Sequence, residues 1–147
     1  MTATRYLSKS ESDTLSFAAA FARDLKPGDV VMLTGELGAG KTAFTKGVVR
    51  FFDDKISVTS PTFSLINSYP TLPTIHHFDL YRVKDENDLV DLGIFEYVDA
   101  ESILIVEWAE KWRRNRPEKY FDVSISIVNE EKRQIVIETR CDDRTGS

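Results

Sequence analysis

Cysteine occurs once in this chain of 147 residues, at Cys141, so no internal disulfide can form and no cysteine-based metal cage can be built. Long apolar runs are absent. None approaches the roughly 18 residues of a membrane span, and the polar stretch Met1 to Asp13 lacks the apolar core of a signal peptide. These absences predict a protein of a reducing, cytoplasmic compartment with no membrane partner. Positive charge is also short: 19 Lys and Arg stand against 24 Asp and Glu, a net charge of −5. That excludes a general nucleic-acid binder with a broad basic surface. What is present suffices for a core, since 41% of residues are hydrophobic and 11% aromatic.

No internal repeat, low-complexity tract or Gly/Ser-rich linker divides the chain, so one domain over residues 1–147 is expected, with an ordered core over roughly residues 5–140. Ser10 and Asp13 have capping-box spacing, and Leu15, Ala18, Ala22 and Leu25 then recur at helical intervals. Pro27-Gly28-Asp29 reads as a turn before the apolar run Val30 to Leu33, a buried strand. A second helix is predicted from about Lys41 to Phe52, with Phe44, Val48 and Phe51 or Phe52 inward. Phe63 to Tyr69 and Ile75 to Leu80 read as strands around a loop holding Pro70 and Pro73. Asp85 to Leu92 reads as a short helix stopped by Gly93. Ile103 to Val106 has the continuous apolar character of a central parallel strand. Val123, Ile125, Ile127, Ile135 and Ile137 alternate around Asn129 to Lys132, which predicts a hairpin. The fold class that follows is α/β, a mostly parallel sheet flanked by helices with a C-terminal antiparallel hairpin.

Gly35-Glu36-Leu37-Gly38-Ala39-Gly40-Lys41-Thr42 matches G-x-x-x-x-G-K-[ST] at every fixed position. A chance occurrence at average composition is under about 1% per chain, and here an apolar strand precedes and a helix follows. The chemistry accounts for the spacing. Backbone N–H groups curl around phosphate oxygens only if the loop turns tightly, which the glycines permit. Lys41 supplies a point charge between the β- and γ-phosphates, Thr42 offers a hydroxyl to Mg²⁺, and the next helix aims its positive end at the anion. The nucleotide-binding set is therefore Glu36, Leu37, Gly38, Ala39, Gly40, Lys41 and Thr42.

Such a loop needs an acid at the end of a neighbouring strand to hold Mg²⁺ or its waters. Ile103-Leu104-Ile105-Val106-Glu107 ends four apolar residues in a carboxylate, the Walker B pattern with Glu in place of the commoner Asp. Asp79 is the second candidate, closing Thr74-Ile75-His76-His77-Phe78-Asp79, although a capping or turn role is open to it as well. With a period of two, Ile75, His77 and Asp79 share one face and His76 and Phe78 the other. Opposite faces argue against both histidines gripping one ion; His77 is expected instead to orient Asp79 or its neighbours. The candidate catalytic residues are Lys41, Asp79 and Glu107, and the candidate metal ligands Thr42 and Glu107.

Taken in order, GELGAGKT, SPTFSLINSY (Ser60 to Tyr69), HFDLYR (His77 to Arg82) and LIVEW (Leu104 to Trp108) resemble the TsaE (YjeE-like) family, the ATPase component of bacterial threonylcarbamoyladenosine synthesis in tRNA. The resemblance runs from about Ser10 into the C-terminal hairpin. It implies a P-loop ATPase that binds ATP and Mg²⁺, with Gly38 to Lys41 around the phosphates, Thr42 and Glu107 on the metal, and Asp79 as a further active-site acid. It also implies that Thr62 sits in a switch-like loop and that Ser10 to Thr14 lies near the nucleotide. Glu36 and Ala43 depart from the commoner Asp and Thr of relatives. The implied partners are the TsaB and TsaD subunits, which do the transfer chemistry that ATP turnover here would support.

Two features stay open. Lys111-Trp112-Arg113-Arg114-Asn115-Arg116 is either a cationic helix end before Pro117 or a contact for tRNA or a partner, with any tRNA contact expected to be indirect. Trp108 either lies beside the nucleotide or fills the core. Two other functions fit the same loop: a small-molecule kinase, for which 147 residues leave little room for an acceptor pocket and lid, and a nucleotide-dependent scaffold. No [NT]-K-x-D motif supports a guanine nucleotide.

Overall fold

Val30–Leu33 and Ile103–Val106 contain no polar residue, which suits strands covered on both faces, and they become neighbours at the middle of a sheet. The computed structural model describes residues 3–61 and 65–141. Its strands are β1 (Ala3–Ser8), β2 (Val30–Thr34), β3 (Ile66–Tyr69), β4 (Ile75–Asp79), β5 (Ile103–Glu107), β6 (Lys119–Ile127) and β7 (Arg133–Cys141). Its helices are α1 (Glu11–Ala22), α2 (Lys41–Phe52) and α3 (Asn87–Leu92), with 3₁₀ turns at Ile94–Tyr97 and Ala109–Lys111.

The sheet order is β1-β7-β6-β2-β5-β4-β3. Pairs β6–β2, β2–β5 and β5–β4 are parallel, whereas β1–β7, β7–β6 and β4–β3 are antiparallel. The sheet is thus mixed, with a four-strand parallel centre, and not mostly parallel. The hairpin explains part of the difference: its first arm, β6, joins the parallel centre beside β2, and only the return arm β7 reverses. β1 adds a further reversed strand where none was expected. It is an exposed edge strand whose one substantial apolar anchor is Tyr6, stacked on Phe17 at 4.2 Å; so little apolar patterning leaves no period to read.

Helix α1 starts where the spacing predicts, with the Ser10 side chain accepting from Asp13 N–H at 3.0 Å. The capping box is not reciprocal, because the Asp13 carboxylate accepts from Lys9 N–H and the Tyr6 hydroxyl instead. Thr14, Ala18 and Ala22 are the buried positions, and Leu15 is only partly covered. Their small size lets α2 cross closely: a Cβ on Gly47 would lie 2.5 Å from the Leu15 carbonyl oxygen and 2.7 Å from the Ala18 Cβ. Both helices cover one sheet face, over Val31, Leu33, Ile75, Ile103, Ile105 and Val123. The opposite face carries Val30, Met32, Phe78, Leu104 and Val106 beneath α3, Ile94 and Trp112.

Several sequence expectations shift in detail. Phe52 packs against the core while Phe51 is exposed, and Ile127 ends the alternation exposed at the hairpin tip. The strand expected from Phe63 begins at Ile66; Phe63 and Ser64 lie outside the described residues, as does Thr62. The short helix starts at Asn87, two residues after Asp85, whose carboxylate accepts from Asn87 N–H, and Gly93 ends it in the left-handed region at φ 71°. No helix runs up to Pro117, only the single 3₁₀ turn Ala109–Lys111. The helix-end reading of the basic cluster is therefore incorrect. Among the described residues no helix is long and apolar enough to cross a membrane.

Candidate active site

β2, β4 and β5 run parallel, so their carboxyl ends open on the same edge of the sheet, and the chain places the glycine loop, Asp79 and Glu107 there. The loop leaves β2 and enters α2 through Gly40, the N-cap, at φ 111°. A Cβ on Gly38 or Gly40 would meet no atom within 4 Å. The loop backbone thus faces open space, and both residues hold a positive φ that other side chains resist. A backbone so shaped can cradle a phosphate chain, and it stands at the positive end of a 12-residue helix.

Lys41 is 5% exposed. Its ammonium donates to the Gly35 carbonyl and, at 3.0 Å, to the Glu36 carbonyl. It also sits 3.9 Å from the centroid of the Trp108 ring, a cation–π contact. Burial pushes its pKa below the ordinary 10.5, opposed chiefly by the Glu107 charge. Trp108 meets the lysine with one ring face at the cavity and also borders the second core.

The Thr42 hydroxyl donates to Glu107, 3.0 Å from Oε1 and 3.3 Å from Oε2, and lies 2.9 Å from the Ser60 hydroxyl. Glu107 is 2% exposed. Its Oε2 lies 2.6 Å from Nε2 of His77, a fully buried residue whose Nδ1 lies 3.2 Å from the Tyr69 hydroxyl. Of the partners expected for His77, Asp79 or its neighbours, the bond goes to the neighbour Glu107. His76, on the other face, meets Ser68 and the Tyr97 ring. Asp79 pairs with Glu107 in the β4–β5 register, and its Oδ1 accepts from Tyr81 N–H at 2.9 Å. Its turn role and its position at the site coexist. Burial raises its pKa above the ordinary 3.8, with the Tyr81 hydrogen bond acting the other way.

Gly38, Gly40, Lys41, Thr42, Ser60, Asp79, Glu107 and Trp108 line one cavity of about 280 Å³, with Leu37 on its rim, 71% exposed. A second cavity of about 430 Å³ shares Gly38, Gly40 and Ala43 and reaches Ser10, Glu11 and Thr14, so the start of α1 does adjoin the loop. Glu36 contributes its carbonyl, to Lys41 and to Ala39 N–H. Arg82 borders a small cavity of about 120 Å³ together with Ser60 and Asp79.

Two members of this constellation escaped the sequence reading. Arg133 reaches from β7 to donate to the Ala39 carbonyl at 3.1 Å and the Gly38 carbonyl at 3.3 Å, bracing the outer side of the loop. Separated by more than ninety residues, the contact leaves no local signal. Ser60 lay within a quoted motif, but its contact with Thr42 depends on tertiary folding. The basic cluster is largely architectural: Lys111 donates to the Tyr81 and Val83 carbonyls, Trp112 is fully buried, and Arg116 bridges Ala109, Trp112 and Tyr120. The backbone N–H groups of Arg113 and Arg114 donate to Glu86, and their side chains are exposed.

Among the described residues no three His, Cys, Asp or Glu side chains converge as a metal cage. The donors near the loop, one hydroxyl and one or two carboxylates, suit Mg²⁺, which keeps several waters and takes further oxygens from substrate phosphates.

The family model described as "Threonylcarbamoyl adenosine biosynthesis protein TsaE" matches residues 8–135. A tRNA threonylcarbamoyladenosine biosynthesis protein TsaE of Rickettsia bellii is 37% identical over 126 residues, covering 84% of this chain and 87% of that protein. Its counterpart in Bacillus subtilis is 38% identical over 125 residues, covering 84% and 77%; that of Treponema pallidum is 34% identical over 133 residues, covering 90% and 98%. The crystal structure of Bacillus subtilis YdiB superposes with a TM-score of 0.78 at 28% identity, over 97% of this chain and 88% of that one.

Proposed function

Since the chain belongs to the TsaE family of threonylcarbamoyl adenosine biosynthesis proteins, we propose that it is a Mg²⁺-dependent ATPase and an auxiliary subunit in that tRNA modification. The observation that carries the reading is the bond between Thr42 of the loop and Glu107 of the neighbouring strand. It joins the hydroxyl and the carboxylate of a phosphate-loop metal site across 65 residues of sequence.

In this reading the whole chain acts as one ATPase domain. The amides of Gly38 to Lys41 hold the β- and γ-phosphates, with Glu36, Leu37 and Thr42 completing the loop. The cavity beside Ser10, Glu11 and Thr14 receives the nucleoside end. Lys41 swings its ammonium from the Gly35 and Glu36 carbonyls to the phosphate oxygens, a short move because donor and cradle share one loop. Thr42 and Glu107 hold Mg²⁺, which when bound neutralises developing charge on the phosphates. Asp79, whose pKa is raised by burial, orients the attacking water and accepts its proton. The phosphates, the metal acid and the water-orienting acid then lie within one cavity, as in-line attack demands.

Hydrolysis by this chain serves the TsaB and TsaD subunits, which carry out the transfer chemistry, and tRNA is met through them. The segment Ser60 to Ser64, including Thr62, responds to the γ-phosphate and to those partners. Calorimetric titration of ATP with Mg²⁺ tests the binding half of this proposal. Saturable binding that weakens severely in Lys41→Ala is expected; equal affinity in both proteins would reject it.

A further inference from the structure

A histidine with no exposed surface has to satisfy two ring nitrogens inside the protein. His77 does so with groups that belong to the site. An ionised carboxylate only accepts, so at 2.6 Å the Glu107 Oε2 takes the hydrogen carried on Nε2. With its hydrogen on Nε2, the ring accepts at Nδ1 from the Tyr69 hydroxyl at 3.2 Å, so that single O–H hydrogen is not given to the Thr59 carbonyl, 3.5 Å away. The side-chain amide of Asn67, two residues before Tyr69 on the same strand, donates to the Thr59 carbonyl at 3.1 Å. The next residue, Ser60, reaches Thr42 at 2.9 Å, and Thr42 returns to Glu107 at 3.0 Å. The hydrogen bonds run from Tyr69 through His77 to Glu107, and on the other side of Glu107 to Thr42 and Ser60, while Asn67 holds the Thr59 carbonyl to the strand of Tyr69.

We propose that His77 and Tyr69 are positioning residues that lock one Glu107 oxygen so that the other faces Thr42 and the metal. The inference rests on the reading of Glu107 as the Mg²⁺ acid. Left without its Nε2–H partner, the Glu107 carboxylate would be freer to rotate about its side-chain bonds and away from the metal. Hydrogen-bonded neighbours of metal ligands change metal affinity by about 10- to 100-fold when removed. A histidine kept only to fill space would instead be replaceable by an apolar side chain of similar volume with no effect on the metal.

The test compares the affinity for a non-hydrolysable ATP analogue with Mg²⁺ and in EDTA, by calorimetry; the ratio is the gain that the metal supplies. Glu107→Gln, the control for the underlying reading, should reduce that gain at least about tenfold. His77→Leu should reduce it about tenfold while affinity in EDTA stays within about twofold, and His77→Gln, which retains an N–H donor, should recover most of it. Tyr69→Phe should lower the gain about two- to fivefold, in line with a single neutral hydrogen bond. A wild-type gain in both His77→Leu and Tyr69→Phe, with Glu107→Gln impaired, overturns the relay and leaves the Glu107 reading standing. An unimpaired Glu107→Gln overturns both. Thermal melting establishes folding; should His77→Leu fail to fold, Tyr69→Phe decides alone, an unchanged gain rejecting the proposal and a loss of twofold or more supporting it.

Discussion

Asp79 and Glu107 stand opposite each other in the parallel register of β4 and β5, so the last residues of two adjacent strands place both site acids side by side. They are not equivalent. Glu107 is satisfied by Thr42 and His77, whereas among the described residues the Asp79 carboxylate accepts from the Tyr81 N–H alone and has a burial-raised pKa. One environment suits an acid that holds a cation, the other an acid that takes a proton.

Replacing either acid should separate turnover from binding. Glu107→Ala and Asp79→Ala are expected to abolish ATP hydrolysis, while nucleotide affinity measured in EDTA stays close to wild type because the loop amides and Lys41 remain. Phosphate-release assays beside circular dichroism check this. Full activity in a folded variant would return that residue to a structural role.

Lys41→Ala removes the charge from the cradle and leaves the backbone amides. A charge-assisted bond to phosphate contributes roughly 1.5–3 kcal/mol, so ATP affinity should fall at least about tenfold by calorimetry.

The raised pKa of Asp79 makes a stability prediction of definite sign. An acid whose folded pKa exceeds its unfolded value contributes stability that is fully present below the unfolded value, here 3.8, and lost as pH rises through the folded value. At neutral pH the ionised carboxylate therefore destabilises the nucleotide-free protein. Asp79→Asn, which keeps an oxygen for Tyr81 N–H, should melt higher than the wild type at pH 7, and the difference should shrink towards pH 4. A lower melting temperature for the variant at pH 7 would contradict this.

Gly47→Ala tests the packing of the two helices behind the loop. The added methyl group would sit 2.5 Å from the Leu15 carbonyl oxygen, which is backbone and cannot swing aside. Overpacking of this kind costs about 1–3 kcal/mol, measurable by urea denaturation.

How much of this was legible beforehand follows the range of the forces involved. The loop, the helix Lys41–Phe52 and the strand ending in Glu107 carry their signal within a dozen residues, because apolar runs, glycines and the lysine are local requirements. Glu107 followed from the apolar run that it closes, and the period of two put Asp79 on the face of Ile75 and His77. Illegible was a contact made only when distant segments meet, Arg133 bracing Gly38 and Ala39; among the partners open to His77, the β4–β5 junction selects Glu107, the register neighbour of Asp79. β1 escaped because an exposed edge strand needs only backbone pairing and one anchor. The basic run at Lys111–Arg116 misled for the opposite reason: its composition suggested a helix end, but Trp112 and Arg116 are fixed by burial and by carbonyls.

The central claim is that ATP is hydrolysed at this site in the service of partner subunits. Its most direct test is steady-state phosphate release for the protein alone, for TsaB with TsaD, and for the mixture, with wild type and Glu107→Ala in parallel. An added contact at the γ-phosphate is worth about 10³–10⁵ in rate in related phosphoryl transfers. Slow release by the protein alone, a marked rise in the mixture and loss of that rise in Glu107→Ala are expected. Fast release by the isolated protein that the partners leave unchanged, or a rise that survives Glu107→Ala, would contradict the account.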